Sequence, residues 1–464
     1  MPEGAGAYRA DTIATLDGLM QKLLLKKKTQ DLLQKAQEEQ EALAPWDQAN
    51  LRWMEKKYRD ARCLPPALTE KFTKTKIVCE QAWRKLRSQN NWRDFLPFLE
   101  NTFQIVKDIA ARRADILNVT PYDALLDEYA PGFTQARIDS IFSELKQILP
   151  GLLPQIMEKQ AASKPLIPRG PFPPEKQKAL GLLVMRSLQF DFNHGRLDSS
   201  HHPFCNGIPQ DTRITTRYAS EEFLTSLLGI CHETGHALYE QGLPPQWTSQ
   251  PVGMVHSMAM HESQSLLIEM QVCRSLPYFQ FLLPLIQQEF EKQDALTAEN
   301  LFQLITQVQP GFIRVDADEV TYPLHVLIRY EIEKDLFSGQ LSLRDLPARW
   351  DEAMRKYLGL STQGKDRDGV MQDVHWPSGA FGYFPAYTLG RLMAAQFFET
   401  FRQAHPPFDA EVKQGNFQSL ISWLRKHIHS NASKLTTSEL LIQVTGKDLE
   451  TKAFINHLQE RYLN

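Results

Sequence analysis

Residues 220–242 constrain this chain more than any other stretch, because they set two histidines and a carboxylate at fixed spacing within an apolar helical pattern. Leu224, Leu227, Leu228 and Cys231 recur at three- and four-residue steps, the period of a helix with one buried face. Ser220 is the expected N-cap, with Glu221 and Glu222 favourable in the first turn. Gly242 followed by Pro244-Pro245 is a stop signal. Inside lies His232-Glu-Thr-Gly-His236. Positions i and i+4 share a face one turn apart, so both imidazoles can reach one metal ion. Glu233 is turned aside, where a carboxylate meets metal-activated water rather than the metal. Gly235 costs about 1 kcal/mol in a helix interior, a cost that tight packing or close ligand approach explains.

A catalytic zinc has three protein ligands and one open position, and the third ligand should come from another helix. Residues 253–269 read as that helix, ending before Pro277. The candidates are Glu262, His261, His256 and Glu269. Adjacent helix positions diverge by about 100°, so His261 and Glu262 cannot both face the ion, and spacing alone does not choose.

The remainder reads as mainly α with a small sheet. Residues 10–60 and 65–160 carry helical periodicity, with breaks expected at Pro65-Pro66, Pro131-Gly132 and Pro150-Gly151. A Pro-rich stretch, 164–174, is the expected connector between an N-terminal helical region, 1–170, and a catalytic helical region, 171–464. Residues 211–218 alternate as a strand does, and 280–360 and 385–464 return to helix. With 52 Lys+Arg against 55 Asp+Glu, the chain lacks the surplus positive charge of a nucleic-acid binder. No apolar run approaches the about 18 residues of a membrane span. Five cysteines without CxxC spacing read as free thiols, so a cytoplasmic location is expected.

The sequence resembles the Taq-type thermostable metallocarboxypeptidases. The resemblance rests on 232–242, on His261-Glu-Ser-Gln-Ser265, on His202-Pro-Phe204 and on Asp211-Thr-Arg-Ile-Thr215. It extends through 313–322, Gly369-Val-Met-Gln-Asp-Val-His-Trp376 and 381–390. It implies Glu262 as the third metal ligand beside His232 and His236. It also implies an elongated helical homodimer with a deep active-site cleft, releasing C-terminal amino acids from peptides with broad preference and poor tolerance of Pro. Leu266 and Ile268 depart from the family's basic and aromatic residues at those positions, which bears on side-chain preference.

On this reading Zn²⁺ is the expected cofactor, though Co²⁺ or Mn²⁺ suit the same donors. Glu233 is the general base. His375 and Tyr387 are the candidate oxyanion donors, with Tyr383 the rival tyrosine and a substrate-binding candidate. A free substrate carboxylate calls for a guanidinium fork, and Arg314 and then Arg329 are the candidates, each with acids nearby (Asp316, Asp318, Glu319, Glu331) that could pair with it instead. Arg213 and Arg217 are weaker, and an edge strand could align substrate by strand addition. Asp316, Asp318 or Glu240 could orient a ligand imidazole. His202 and Cys231 read as structural. Peptides with a free C-terminus are the expected partners, with neither nucleic acid nor membrane. The alternatives are an oligopeptidase or endopeptidase of the same architecture, and a helical binding protein with a vestigial metal site, against which the intact Glu233 speaks.

Overall fold

The computed structural model describes residues 6–200 and 203–464; His202 lies outside the described residues. Nineteen α-helices and one three-stranded sheet make up the described chain, bearing out a mainly α fold with a small sheet. None of these helices is long and apolar enough to cross a membrane. The chain forms two compact units. One comprises Met1–Lys146, Pro310–Ala317 and Thr321–Pro385, the other Gln147–Gln309, Asp318–Val320 and Ala386–Asn464.

In the first unit, helix Trp92–Leu117 starts where the Asn91 side chain accepts from the Asp94 amide and stops at Asn118 in the left-handed conformation. Its buried Phe95, Leu99, Thr102, Val106 and Ile109 follow the three-to-four-residue period that faces a core. Helix Tyr322–Ser338 is buried on every side from Tyr322 to Tyr330. Along it His325, Arg329 and Glu333 follow at four-residue steps, a polar stripe within the core.

The expected break at Pro150-Gly151 is not there. Helix Gln135–Gln160 runs through both Pro150 and Pro154. A proline inside a helix costs about 3 kcal/mol, and burial of Leu145, Leu149, Leu152, Leu153 and Ile156 on this helix more than offsets it. The breaks at Pro65-Pro66 and Pro131-Gly132 do separate helices.

In the second unit the sheet comprises β1 (Gly195–Ser199), β2 (Phe204–Ile208) and β3 (Asp211–Thr216), in the order β1-β3-β2. β3 is parallel to β1 and antiparallel to β2. The one anticipated strand is therefore the central one, paired on both sides, and cannot receive an added substrate strand. Arg213 on it pairs with Asp211 at the surface. Ile214 and Leu197 pack with Met185, Phe190, Ile230 and Ala237, which presses the sheet against the helix that carries the histidine pair.

That helix is Leu224–Gln241, and it begins four residues after the expected cap. The Ser220 carbonyl instead accepts from the Phe172 amide at 2.8 Å. The role of first-turn acceptor falls to Glu222, whose Oε2 takes the Thr225 amide at 2.9 Å. The partner helix also starts later than expected, because Pro251–Gly253 forms a 3₁₀ turn. It runs from Met258 to Leu266, capped by Ser257, and continues as a π-helix over Leu267–Cys273.

Candidate metal centre

Gly235 sets the distance between the two helices. A Cβ built there would lie 2.6 Å from Ser265 Cα and 2.7 Å from the Gln264 carbonyl oxygen, so only glycine permits this approach. On the far side, helix Pro385–Ala404 presents Gly390, where a Cβ would come within 3.0 Å of Glu262 Cβ and Cγ. The helix bearing Glu262 is gripped between two glycines.

The grip brings three donors together. Ligand atoms of His232, His236 and Glu262 all lie within 4.8 Å of one another. Glu262 Oε2 stands 3.4 Å from His236 Nε2 and 3.8 Å from His232 Nε2. Two donors about 2.0–2.2 Å from a tetrahedral ion are about 3.4 Å apart, so the cluster fits a divalent metal. His256 is buried away from the cluster, its amide 3.4 Å from the Tyr239 hydroxyl. His261 stacks on His236 with ring centroids 4.2 Å apart, and its Nε2 is 3.1 Å from Glu240. Glu240 thus steadies the ring stacked on His236 rather than one of the three clustered donors. Asp318 accepts from the Gln309 and Val320 amides.

Glu269, an open candidate for the third ligand, does something else. Its Oε2 accepts from His232 Nδ1 at 2.9 Å, which turns the Nε2 lone pair toward the cluster. Arg274 Nε and Nη2 hold the other oxygen at 3.2 and 2.8 Å, and Arg274 Nη1 donates to the Ile305 carbonyl. Spacing could not reveal this role, since the π-helix that carries Glu269 has no sequence signature.

In the metal-free protein, burial works against charge on every one of these groups. On Glu262 it is outweighed by His232, His236 and Arg391, which hold the carboxyl at about 2. On Glu269 it is outweighed by Arg274 and His232, again to about 2. On His232 it yields to Glu262, Glu269 and Glu233, raising the imidazole to about 9. His236 stays at about 3, lowered by burial and by His261. Burial pushes the Glu233 carboxyl up to about 7, against the pull of His232 and with the repulsion of Glu262 and Glu269. A buried carboxyl poised near neutrality is suited to exchanging protons.

Tyr387 is half-buried one helical turn before Gly390. Cys231 is buried beside the Tyr278 hydroxyl at 3.3 Å, as its packing reading expects.

The other sequence candidates gather in the first unit around Asp373. Arg314 donates to Asp373 Oδ1 from Nε and Nη2 at 3.1 and 2.9 Å, and Arg329 to Oδ2 from Nε at 2.7 Å. The acid that pairs with both is thus Asp373, none of the four acids near them in sequence. One carboxylate thus bridges two guanidiniums in the core. Both guanidiniums also lie over the Phe384 ring, on which His375 packs at 4.4 Å. Tyr383 lies 5.1 Å from His375 and edge-on to Tyr129. Burial and the Arg314 charge lower His375 to about 3. Glu333 is the residue sequence reasoning missed here. It accepts from Trp376 Nε1, the Tyr122 hydroxyl and the Gly382 amide, and so ties down both ends of the segment that directly follows His375.

The profile of the carboxypeptidase Taq (M32) metallopeptidase family matches residues 1–462. The chain belongs to that family. It is accordingly a metallocarboxypeptidase, a peptide hydrolase that uses a divalent metal. It is 36% identical to thermostable carboxypeptidase 1 of Thermus thermophilus, over all of this chain and 92% of that one. It is 32% identical to carboxypeptidase 1 of Bacillus subtilis, with the same coverage. Among solved structures, metallocarboxypeptidase 1 of Trypanosoma cruzi superposes with a TM-score of 0.96 at 40% identity, over all of this chain and 94% of that one.

Proposed function

We propose that this M32 enzyme is a zinc carboxypeptidase in which His232, His236 and Glu262 hold the ion and Glu233 is the general base. The observation that carries the reading is the convergence of two Nε2 atoms and one carboxylate oxygen, with His232 Nδ1 already committed to Glu269. A bound divalent ion supplies Lewis-acid polarisation of the scissile carbonyl and acidifies the attacking water. Glu233, one residue from His232 and itself buried, accepts the proton of that water and returns it to the leaving amine. The Tyr387 hydroxyl donates to the developing oxyanion, and His375 is assigned the same task, its depressed pKa keeping it a neutral donor.

Recognition of the free carboxylate is assigned to Arg314, with Tyr383, which lies against His375, as a further substrate-binding residue. Arg329, with no exposure at all against 3% for Arg314, braces Asp373 and so holds Arg314 in place. Broad side-chain preference and poor hydrolysis next to Pro are proposed from the family resemblance. A cytoplasmic location is proposed from five free cysteines. A homodimer is proposed from the resemblance and from helix Gly6–Leu24, where Leu16, Leu19, Met20 and Leu23 are more than half exposed.

The test is metal titration of the chelator-stripped protein with Zn²⁺, Co²⁺ and Mn²⁺, in wild type, Glu233→Gln and Glu262→Gln. One Zn²⁺ per chain in wild type and Glu233→Gln, activity in wild type alone, and weak binding in Glu262→Gln are expected. Tight Zn²⁺ binding by Glu262→Gln would overturn the ligand assignment, and hydrolysis by Glu233→Gln would overturn the base.

A further inference from the structure

A pocket of about 390 Å³ opens in the second unit, behind the π-helix rather than at the metal cluster. Its walls are apolar, with Leu276, Phe302, Phe398, Phe408 and Val412 among them. Gln271 reaches it from the π-helix. The residue is only 5% exposed, and its amide, which makes no hydrogen bond within the described chain, opens onto the pocket. An amide with no protein partner at the wall of a largely apolar cavity is a polar group placed to orient a ligand.

The charges around the pocket are sorted by depth. Arg461 and His457 line it from helix Lys452–Leu463, where buried Glu319 holds them at 2.9 and 2.8 Å. These two, with the Gln271 amide, offer donors inside. Asp409, paired with Arg402 at 3.1 Å, and exposed Glu460 supply acceptors toward solvent. Donors within, carboxylates outside and an apolar wall between fit a zwitterion with an apolar side chain.

We propose that this pocket is a second binding site, separate from the metal cluster, for a free α-amino acid with an apolar side chain. Its carboxylate meets Gln271 and Arg461, its ammonium faces Glu460 and Asp409, and its side chain lies on the aromatic wall. The choice of an amino acid over another zwitterion rests on the carboxypeptidase reading, because hydrolysis releases this class of molecule. Gln271 is two residues from Glu269, which puts it on roughly the opposite side of the wider π-helical turn. One seven-residue π segment therefore carries Glu269 on His232 and Gln271 on the pocket, and an amino acid seated there orders that segment.

The experiment is calorimetric titration of the metal-loaded enzyme with L-phenylalanine, phenylalaninamide and N-acetylphenylalanine. Wild type is compared with Gln271→Leu and the pocket-filling Leu276→Trp. L-Phenylalanine is expected to bind at least tenfold more weakly in both variants, each of which hydrolyses peptide normally without added amino acid. The two blocked analogues are expected to bind wild type at least tenfold more weakly than L-phenylalanine. Amide exchange across Leu267–Cys273 slows with L-phenylalanine in wild type only. An L-phenylalanine isotherm unchanged in both variants would place all binding at the metal cluster and overturn the proposal. Should Leu276→Trp fail to fold, Gln271→Leu alone decides. Binding is read without hydrolysis, so an enzyme that cleaves peptides but ignores amino acids sinks this inference and leaves the function intact.

Discussion

Gly235→Ala is the perturbation whose consequence can be worked furthest from the structure. The new methyl would sit 2.6 Å from Ser265 Cα, whereas carbon atoms pack comfortably at about 3.5–4.0 Å. Since the obstruction is backbone, the helix Met258–Leu266 must retreat by about 1 Å. Such overpacking costs about 1–3 kcal/mol, offset by the about 1 kcal/mol that alanine gains over glycine within a helix. The metal-free fold thus loses about 0–2 kcal/mol. Metal binding loses more, because Glu262 retreats with its helix while the histidines do not, and ligand distances tolerate only about ±0.2 Å. A metal affinity at least tenfold weaker is expected, in the range of disturbed metal-site support. Competition with a chromophoric chelator measures it, and thermal melts of the metal-free protein measure the fold. An alanine variant that melts higher than wild type and binds metal equally well would refute the argument, since Gly235 would then be a mere weak spot in the helix.

Gly390→Ala should weaken metal binding less, because its Cβ meets Glu262 at 3.0 Å and the Ala259 carbonyl oxygen at 3.1 Å, milder overlaps than the 2.6 Å at Gly235; the same chelator competition orders the two variants. Glu269→Gln should cost about 10–100-fold in metal affinity, with the fold kept, because His232 loses its charged acceptor; unchanged affinity would exclude the orienting role. Glu319→Gln should destabilise the protein by about 3–5 kcal/mol in denaturant melts, because Arg461 loses its buried counter-charge and His457 its carboxylate partner. Glu333 gives a pH effect of the opposite sign to a salt-bridged acid. Burial raises its carboxyl to about 7, against the hydrogen bonds from Trp376, Tyr122 and Gly382. Between its ordinary value of 4.5 and about 7 the folded state binds the extra proton, so stability falls as pH rises through that window, by about 3 kcal/mol in all. Melts of wild type and Glu333→Gln at pH 5 and 8 should show that loss in wild type only, and parallel curves would refute it.

The histidine pair and its helix were legible because a four-residue spacing on a helix dictates a shared face whatever surrounds it. Glu262 was not separable from Glu269 by the same reasoning, since seven residues are about two turns and leave both on one side. Only the glycine grip and the π-helix assign them different neighbours. Ser220 misled as a cap because any acceptor near the helix start can serve, and Glu222 is the one that does. Pro150 misled because local cost is visible in a sequence while the burial that outweighs it is not. Two of the three strands were missed for the same reason: β1 and β2 are short, and they owe their pairing to β3. Asp373 sits two residues before His375, yet only the fold shows it drawing two arginines from distant stretches of chain.

The central claim is that this metal cluster removes residues from a free C-terminus. Mass spectrometry of one peptide and its C-terminally amidated twin, each with enzyme, with enzyme plus chelator and with Glu233→Gln, tests it most directly. The account predicts a ladder shortened from the C-terminus of the free peptide alone, abolished by chelator and by the substitution. Internal cleavage of both peptides would contradict it and make the enzyme an endopeptidase, with no carboxylate for Arg314 to bind.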